Sequence, residues 1–114
     1  MFKFGTVVLV SFPFTDLTSS KLRPAVIISR TNGRPEDVIL CFISSKISGK
    51  KDRSHFIFRT GEDHFMQTGL KTDSLVRFDK IATLSKKLIL GEIGSFHKTS
   101  LEKMKHAFSA AFGF

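Results

Sequence analysis

Along the chain, apolar residues gather in short runs separated by polar, turn-rich stretches. Thr6-Val7-Val8-Leu9-Val10-Ser11-Phe12 is the first run; it is β-branched, follows Gly5 and reads as a strand. Pro13 has no N–H for a central ladder and ends it. Residues 15–22 are polar and read as a loop. A second strand runs from Arg23 to Ser29, and a third from Val38 to Ser44, with Asn32-Gly33 and Pro35 as turn punctuation between them. His55-Phe56-Ile57-Phe58-Arg59 reads as a fourth strand. Residues 60–72 are poorly periodic, contain Gly61 and Gly69, and read as loop. Ser74-Leu75-Val76-Arg77-Phe78 alternates inward and outward, and Ile81-Ala82-Thr83-Leu84 continues as strand. Residues 87–93 read as a short helical turn ending near Gly94.

The periodicity changes at the C-terminal end. Thr99-Ser100-Leu101-Glu102 has the form of a capping box, with Thr99 as N-cap and Glu102 three residues on. Leu101, Met104, Ala107, Phe108, Ala111 and Phe112 then follow at helical spacing and form one apolar stripe. Successive strands joined by turns, followed by one helix, predict a mainly β fold. The sheet is antiparallel and curls into a small β-barrel, and the C-terminal helix covers one end or face. With 114 residues, one domain spanning 1–114 is expected, with no repeat and no linker.

Composition sharpens the picture. The formal net charge is +8 and the sequence pI about 10.0, a strong positive balance for a small domain. It points to nucleic acid, an acidic protein or an anionic surface as partner. There are 13 Phe and no Trp or Tyr, so most rings can be buried without a hydrogen-bond partner. Cys41 is the single cysteine and lies in an apolar run, which marks it as a structural thiol in a reducing compartment. The run from Val7 to Phe14 is too short to span a membrane and is broken by Pro13. A cytoplasmic protein is expected.

The residues able to do chemistry are few. Arg23 stands where a polar, basic loop becomes an apolar strand, and Pro24 biases its backbone towards an extended conformation. A guanidinium on stiff backbone beside a loop suits a phosphate, because it presents a planar fork of donors and stays charged. A second basic loop carries Lys46, Lys50, Lys51 and Arg53 around Gly49 and can wrap a phosphate backbone. His55 follows that loop, and histidine is the side chain most often used for acid–base catalysis, so it is a candidate. His64, His97 and His106 are weaker candidates. One cysteine and four scattered histidines give no metal cluster, so neither a metal nor a cofactor is expected.

Several ordered segments resemble the MazF/PemK toxins of bacterial type II toxin–antitoxin systems. They are Gly5-Thr6-Val7-Val8, Phe12-Pro13-Phe14-Thr15-Asp16 and Lys21-Leu22-Arg23-Pro24-Ala25-Val26-Ile27, then Phe42-Ile43-Ser44-Ser45-Lys46, Gly69-Leu70-Lys71-Thr72-Asp73-Ser74-Leu75-Val76 and Lys80-Ile81-Ala82-Thr83-Leu84. The resemblance implies an SH3-like barrel, a homodimer, metal-independent endoribonuclease activity on single-stranded RNA and an acidic antitoxin partner. The family's catalytic Arg matches Arg23. Its catalytic Thr matches Ser44, a departure that keeps the hydroxyl and loses the methyl that restricts its rotamer. Thr15, Lys21, Lys46, Lys50, Lys51 and Arg53 are the RNA-binding candidates, with His55 as a further catalytic candidate. RNA carries its own nucleophile, the 2′-OH, so such cleavage leaves a 2′,3′-cyclic phosphate and a 5′-OH. A noncatalytic barrel that binds nucleic acid and an antitoxin is the alternative.

Overall fold

A computed structural model describes residues 2–13, 20–30, 36–47 and 52–114. Six strands and one helix follow in order: β1 (Thr6–Pro13), β2 (Ser20–Arg30), β3 (Asp37–Ser44), β4 (His55–Phe58), β5 (Ser74–Ser85), β6 (Ile89–Ser95) and α1 (Lys98–Phe112). The strands form one antiparallel sheet in the order β4-β5-β3-β2-β1-β6.

The unbroken apolar character of β1, β2 and β3 has a simple cause: both faces of these central strands are covered. Val7, Val26, Cys41 and Ile43 belong to a core that also holds Phe56, Phe58, Val76, Phe78 and Phe96. Met104 and Ala107 of α1 seal this core, with Leu101 and Phe108 partly buried beside them. Alternation sends Val8, Val10, Ala25, Ile27, Val38 and Leu40 to the opposite face, where Phe42, Leu84, Leu88 and Ile89 pack on them. In Cys41, burial and then the charge of Asp79 push the thiol up to about 12, which keeps it protonated as part of the core.

The end strands β4 and β6 share no ladder among the described residues. Aromatic packing joins them instead. Phe96, just beyond β6, meets Phe56 and Phe58 of β4 edge-on, with ring centroids 6.0 and 5.5 Å apart. A 3₁₀ turn at Met66–Thr68, between β4 and β5, also reaches β6, where Gln67 Nε2 donates to Ser95 Oγ at 3.3 Å. Gly94 makes this approach possible, because an added Cβ would collide with the Gln67 and Thr68 carbonyl oxygens. The sheet is thus curled into a barrel-like shape whose seam is closed by side chains and a turn.

Two expectations need correction. Residues 89–95 are strand β6, preceded only by a single 3₁₀ turn at Lys86–Leu88. The free side of β1 offers a row of backbone partners, and two register shifts, between Val7 and Val8 and between Leu9 and Val10, accommodate the glycine-containing segment. The strand expected to continue from Ser74–Phe78 through Ile81–Leu84 does so as β5, and β3 pairs with both of its halves across a single irregularity. Second, α1 begins two residues early. Phe96 is anchored in the core, so the chain turns at His97, whose Nδ1 accepts from Thr99 N at 3.3 Å and acts as N-cap. The Thr99/Glu102 capping box does not form. Smaller differences are that β2 already includes Lys21 and Leu22, and that Pro13 is the last residue of β1, paired with Ser20.

The cap carries a pH dependence. His97 stacks on His64 with ring centroids 3.7 Å apart, and His64 itself adopts a left-handed backbone with φ 67°. Desolvation, then the His64 ring and Lys98, hold the His97 imidazole below its ordinary range. Protonation would also abolish the Nδ1 acceptor and place a positive charge at the positive end of a helix. The unfolded chain therefore binds this proton more readily than the folded one. The contribution is fully present above the unfolded value of about 6.5 and is lost as pH falls through the lower folded value. Urea midpoints should fall between pH 7 and about 5.5, and His97→Asn, which keeps a capping acceptor, should flatten that fall.

Candidate functional site

The site begins where the β2–β3 ladder ends. Ile27 pairs with Leu40, Val26 with Cys41 and Ala25 with Phe42, and there the register stops. The next residue of β2 is Pro24, which has no N–H to give. Two more residues in the same register would set Arg23 opposite Ser44, the last residue of β3. The ladder ends instead, and both strand ends line a cleft of about 560 Å³. Residues 21–24 form one wall and residues 43–46 another. Residues 69–72 of the β4–β5 connection and Ile93 of β6 complete it.

The lining has one sign of charge. Lys21, Arg23, Lys46 and Lys71 border the cleft, and no Asp or Glu is among the described residues that line it. Leu9, Ile43, Leu70 and Ile93 supply apolar surface between them. A cleft walled by cations over a low-dielectric floor concentrates its field on an anionic ligand. Ser44 is partly exposed, and its Oγ accepts from Lys46 N at 3.0 Å. That bond restrains the hydroxyl in place of the threonine methyl this position lacks, and leaves its hydrogen to be donated.

The wall at residues 69–72 is firmly built. Gly69 closes the 3₁₀ turn with a left-handed φ of 73°, and its N–H donates to the Met66 carbonyl. The buried Thr68 hydroxyl donates to Phe65 O at 2.6 Å and accepts from Leu70 N at 3.1 Å. Asp73 fixes the far side: its carboxylate accepts from Thr60 N at 2.8 Å and from Arg59 at 3.2 Å. The Thr60 bond, offset in part by desolvation and aided by Arg59, holds the Asp73 carboxyl below its usual range. Lys71 and Thr72 are the residues of this wall that sequence reasoning missed as site residues. Their segment is one of those carrying the family resemblance, and that was the available signal.

The structure brings Arg23, Ser44, Lys21 and Lys46 to one cleft. It does not bring His55 or Arg53 there. His55 is at the start of β4, opposite Arg77. Its side chain is 12% exposed, and its Nε2 lies 3.6 Å from Asp79 Oδ1 without a hydrogen bond. Asp79 is taken by Arg77, which donates from Nη2 at 2.6 Å and from Nε at 3.1 Å. Arg53 borders a separate depression beside Asp52, Asp79 and the end of α1. Thr15, Lys50 and Lys51 lie outside the described residues.

Comparison with known protein families matches residues 3–112 to the PemK-like, MazF-like toxins of type II toxin–antitoxin systems. The chain belongs to this family. No curated protein matches it in a sequence comparison. Among solved structures, Mycobacterium tuberculosis toxin MazF-mt6 is 19% identical, with a TM-score of 0.72 over 96% of this chain and 97% of that one. An endoribonuclease in complex with its cognate antitoxin, from a mycobacterial species, is 18% identical with a TM-score of 0.72, over 97% of this chain and 94% of that one. A MazE–MazF crystal structure from Deinococcus radiodurans is 16% identical with a TM-score of 0.73, over 96% and 94%. At such identities the likeness is one of fold, and it agrees with the curled antiparallel sheet and C-terminal helix of this MazF-like chain.

The wall of the cleft gives a stability test. A Cβ on Gly69 would collide with the Ile93 carbonyl, and the left-handed φ is strained for any other residue. Gly69→Ala should cost about 1–3 kcal/mol in chemical denaturation, chiefly from that strain and the displaced β6 contact. Gly61→Ala, where an added Cβ meets nothing within 4 Å, should change stability far less.

Proposed function

We propose that this MazF-like toxin is a metal-independent endoribonuclease that cuts single-stranded RNA. The observation that carries the reading is the meeting of Arg23 and Ser44 at one cation-lined cleft with no described carboxylate. An unpaired RNA segment fits such a surface, with phosphates towards the cations and bases on the apolar floor. A duplex would hold its bases away from that floor.

The reaction follows from what RNA brings with it. The 2′-oxygen attacks the adjacent phosphorus and forms an O2′–P bond, and its proton leaves to water. The P–O5′ bond breaks, and the departing oxygen takes up a proton from water. The products are a 2′,3′-cyclic phosphate and a 5′-OH. Negative charge grows on the nonbridging oxygens as phosphorus becomes five-coordinate, and Arg23 is the cation that meets it. Arg23 acts as an electrostatic stabiliser, because a guanidinium keeps its delocalised charge and serves as a fork of donors rather than as a proton source. Ser44 donates its hydroxyl hydrogen to a phosphoryl oxygen while Lys46 N holds the oxygen in place. His55 takes no part in these steps.

The same charge identifies the partner. An acidic antitoxin segment, extended in the cleft, would meet the cations that RNA uses and so block them. The proposed setting is the cytoplasm, with mRNA as target and growth inhibition as the result, and the proposed assembly is a homodimer.

Cleavage of single-stranded RNA should persist in excess EDTA and leave 5′-OH ends. Loss of cleavage in EDTA with recovery on adding Mg²⁺ would defeat the mechanism. Arg23→Ala should lose on the order of 10²-fold or more in rate, as expected for removal of a transition-state stabiliser. Ser44→Ala should lose less, and Ser44→Thr should match or exceed the parent. A folded, fully active Arg23→Ala protein would remove Arg23 from the reaction, and binding without any cleavage by the parent would favour the noncatalytic alternative.

A further inference from the structure

We propose that Lys71 binds a phosphate flanking the scissile one, and that Asp73 is a positioning residue that holds Lys71 at the cleft. This deepens the reading of the cleft as an RNA-cutting site and rests on it. Lys71 lies on the wall formed by the β4–β5 connection, whereas Arg23 and Ser44 come from the ends of β2 and β3. A strand of RNA in the cleft therefore has cations on more than one wall. The scissile phosphate belongs to Arg23 and Ser44, so the cation on the 69–72 wall is left for a neighbouring phosphate.

The backbone that carries the exposed Lys71 is held on both sides. Gly69 fixes the chain on one side of it, against β6. Asp73 fixes it on the other, with one carboxylate oxygen on Thr60 N and the other on Arg59. Because Asp73 is turned to Arg59 and Thr60, it does not line the cleft and does not neutralise Lys71. Among the described residues no ion pair reaches Lys71. The arrangement spends a carboxylate on holding the turn and keeps the ammonium for a ligand. A flanking phosphate is present in both substrate and transition state. Lys71 therefore contributes binding that is nearly uniform along the reaction, which is read in KM more than in kcat.

The probe is a mixed-sequence, single-stranded oligonucleotide with 2′-O-methyl groups, which lacks the nucleophile. It is titrated against the full chain over a range of salt. Lys71→Ala should weaken binding about fivefold at low salt and lower the slope of log affinity against log salt by about 0.7, the share of one single-strand phosphate contact. Lys71→Arg should restore both. With cleavable RNA, Lys71→Ala should raise KM by a similar factor and lower kcat by much less. Asp73→Ala should show the same loss of slope, and combining it with Lys71→Ala should add less than about a twofold further loss, since both remove one interaction. Asp73→Asn, which keeps an acceptor for Thr60 N, should bind closer to the parent and shows that a folded variant is being read. An unchanged slope in Lys71→Ala, or an equal fall in kcat and kcat/KM, overturns the role of Lys71. Losses that simply add in the double variant overturn the role of Asp73. If the parent binds no RNA, the reading of the cleft itself fails; if the parent binds and Lys71→Ala binds equally, only the present inference fails.

Discussion

Everything in this molecule depends on three phenylalanine rings that join the two ends of the sheet. β4 and β6 are the outermost strands, and no described ladder runs between them. Phe56 and Phe58 on one side and Phe96 on the other close the gap by edge-on packing in the core. That contact brings the 3₁₀ turn at Met66–Thr68 onto β6, and the turn carries Gly69 to Thr72 to the mouth of the cleft. A wall of the functional site is therefore a by-product of how the sheet is closed. The preference for Phe over Tyr or Trp fits this role, because a seam buried on all sides has no room for a ring with a polar group in need of a partner.

A second dependence runs through Pro24. A proline in a central strand ordinarily weakens a sheet. Here it falls where the pairing with β3 ends, so the missing N–H costs no ladder bond on that side and helps keep the strand ends open. The cations then gather at a gap that the backbone has already made. Asp73, next to the 69–72 wall, is turned to Arg59 and Thr60, and no described Asp or Glu lines the cleft.

The sequence showed most of the fold because the strongest signals were local. β1, β2 and β3 are apolar runs with turn residues between them, and α1 has a stripe at helical spacing. The features that could not be read were set by distant partners. β6 is hard to read by itself, since Gly91, Glu92 and Gly94 are poor strand formers, and the open side of β1 makes a strand of residues 89–95. The N-cap moved to His97 because Phe96 was fixed by the core, which a capping pattern does not encode. The site was legible to a similar degree. Arg23 and Ser44 were found through the motif and its resemblance, and the structure places both at one cleft. Lys71 was overlooked because a lysine in an aperiodic stretch looks like any solvated charge until the turn that holds it is seen. His55 stands out in the sequence for its imidazole and its place after the basic loop, but which face of β4 it occupies depends on pairing with β5.

The topology also bears on when the cleft comes into being. β1 lies between β2, its neighbour in sequence, and β6, the last of the six strands to be made. Its pairing with β6 is among the longest-range contacts in the fold, and such contacts form slowly because a large loop must close first. During synthesis, β1 to β5 can pair while β6 is still within the ribosome. Ile93 and Gly94, against which the Gly69 wall rests, arrive only with it. The nascent chain thus carries Arg23 and Ser44 well before it has a complete cleft, and the order of assembly separates the making of these side chains from the making of the cleft that gathers them.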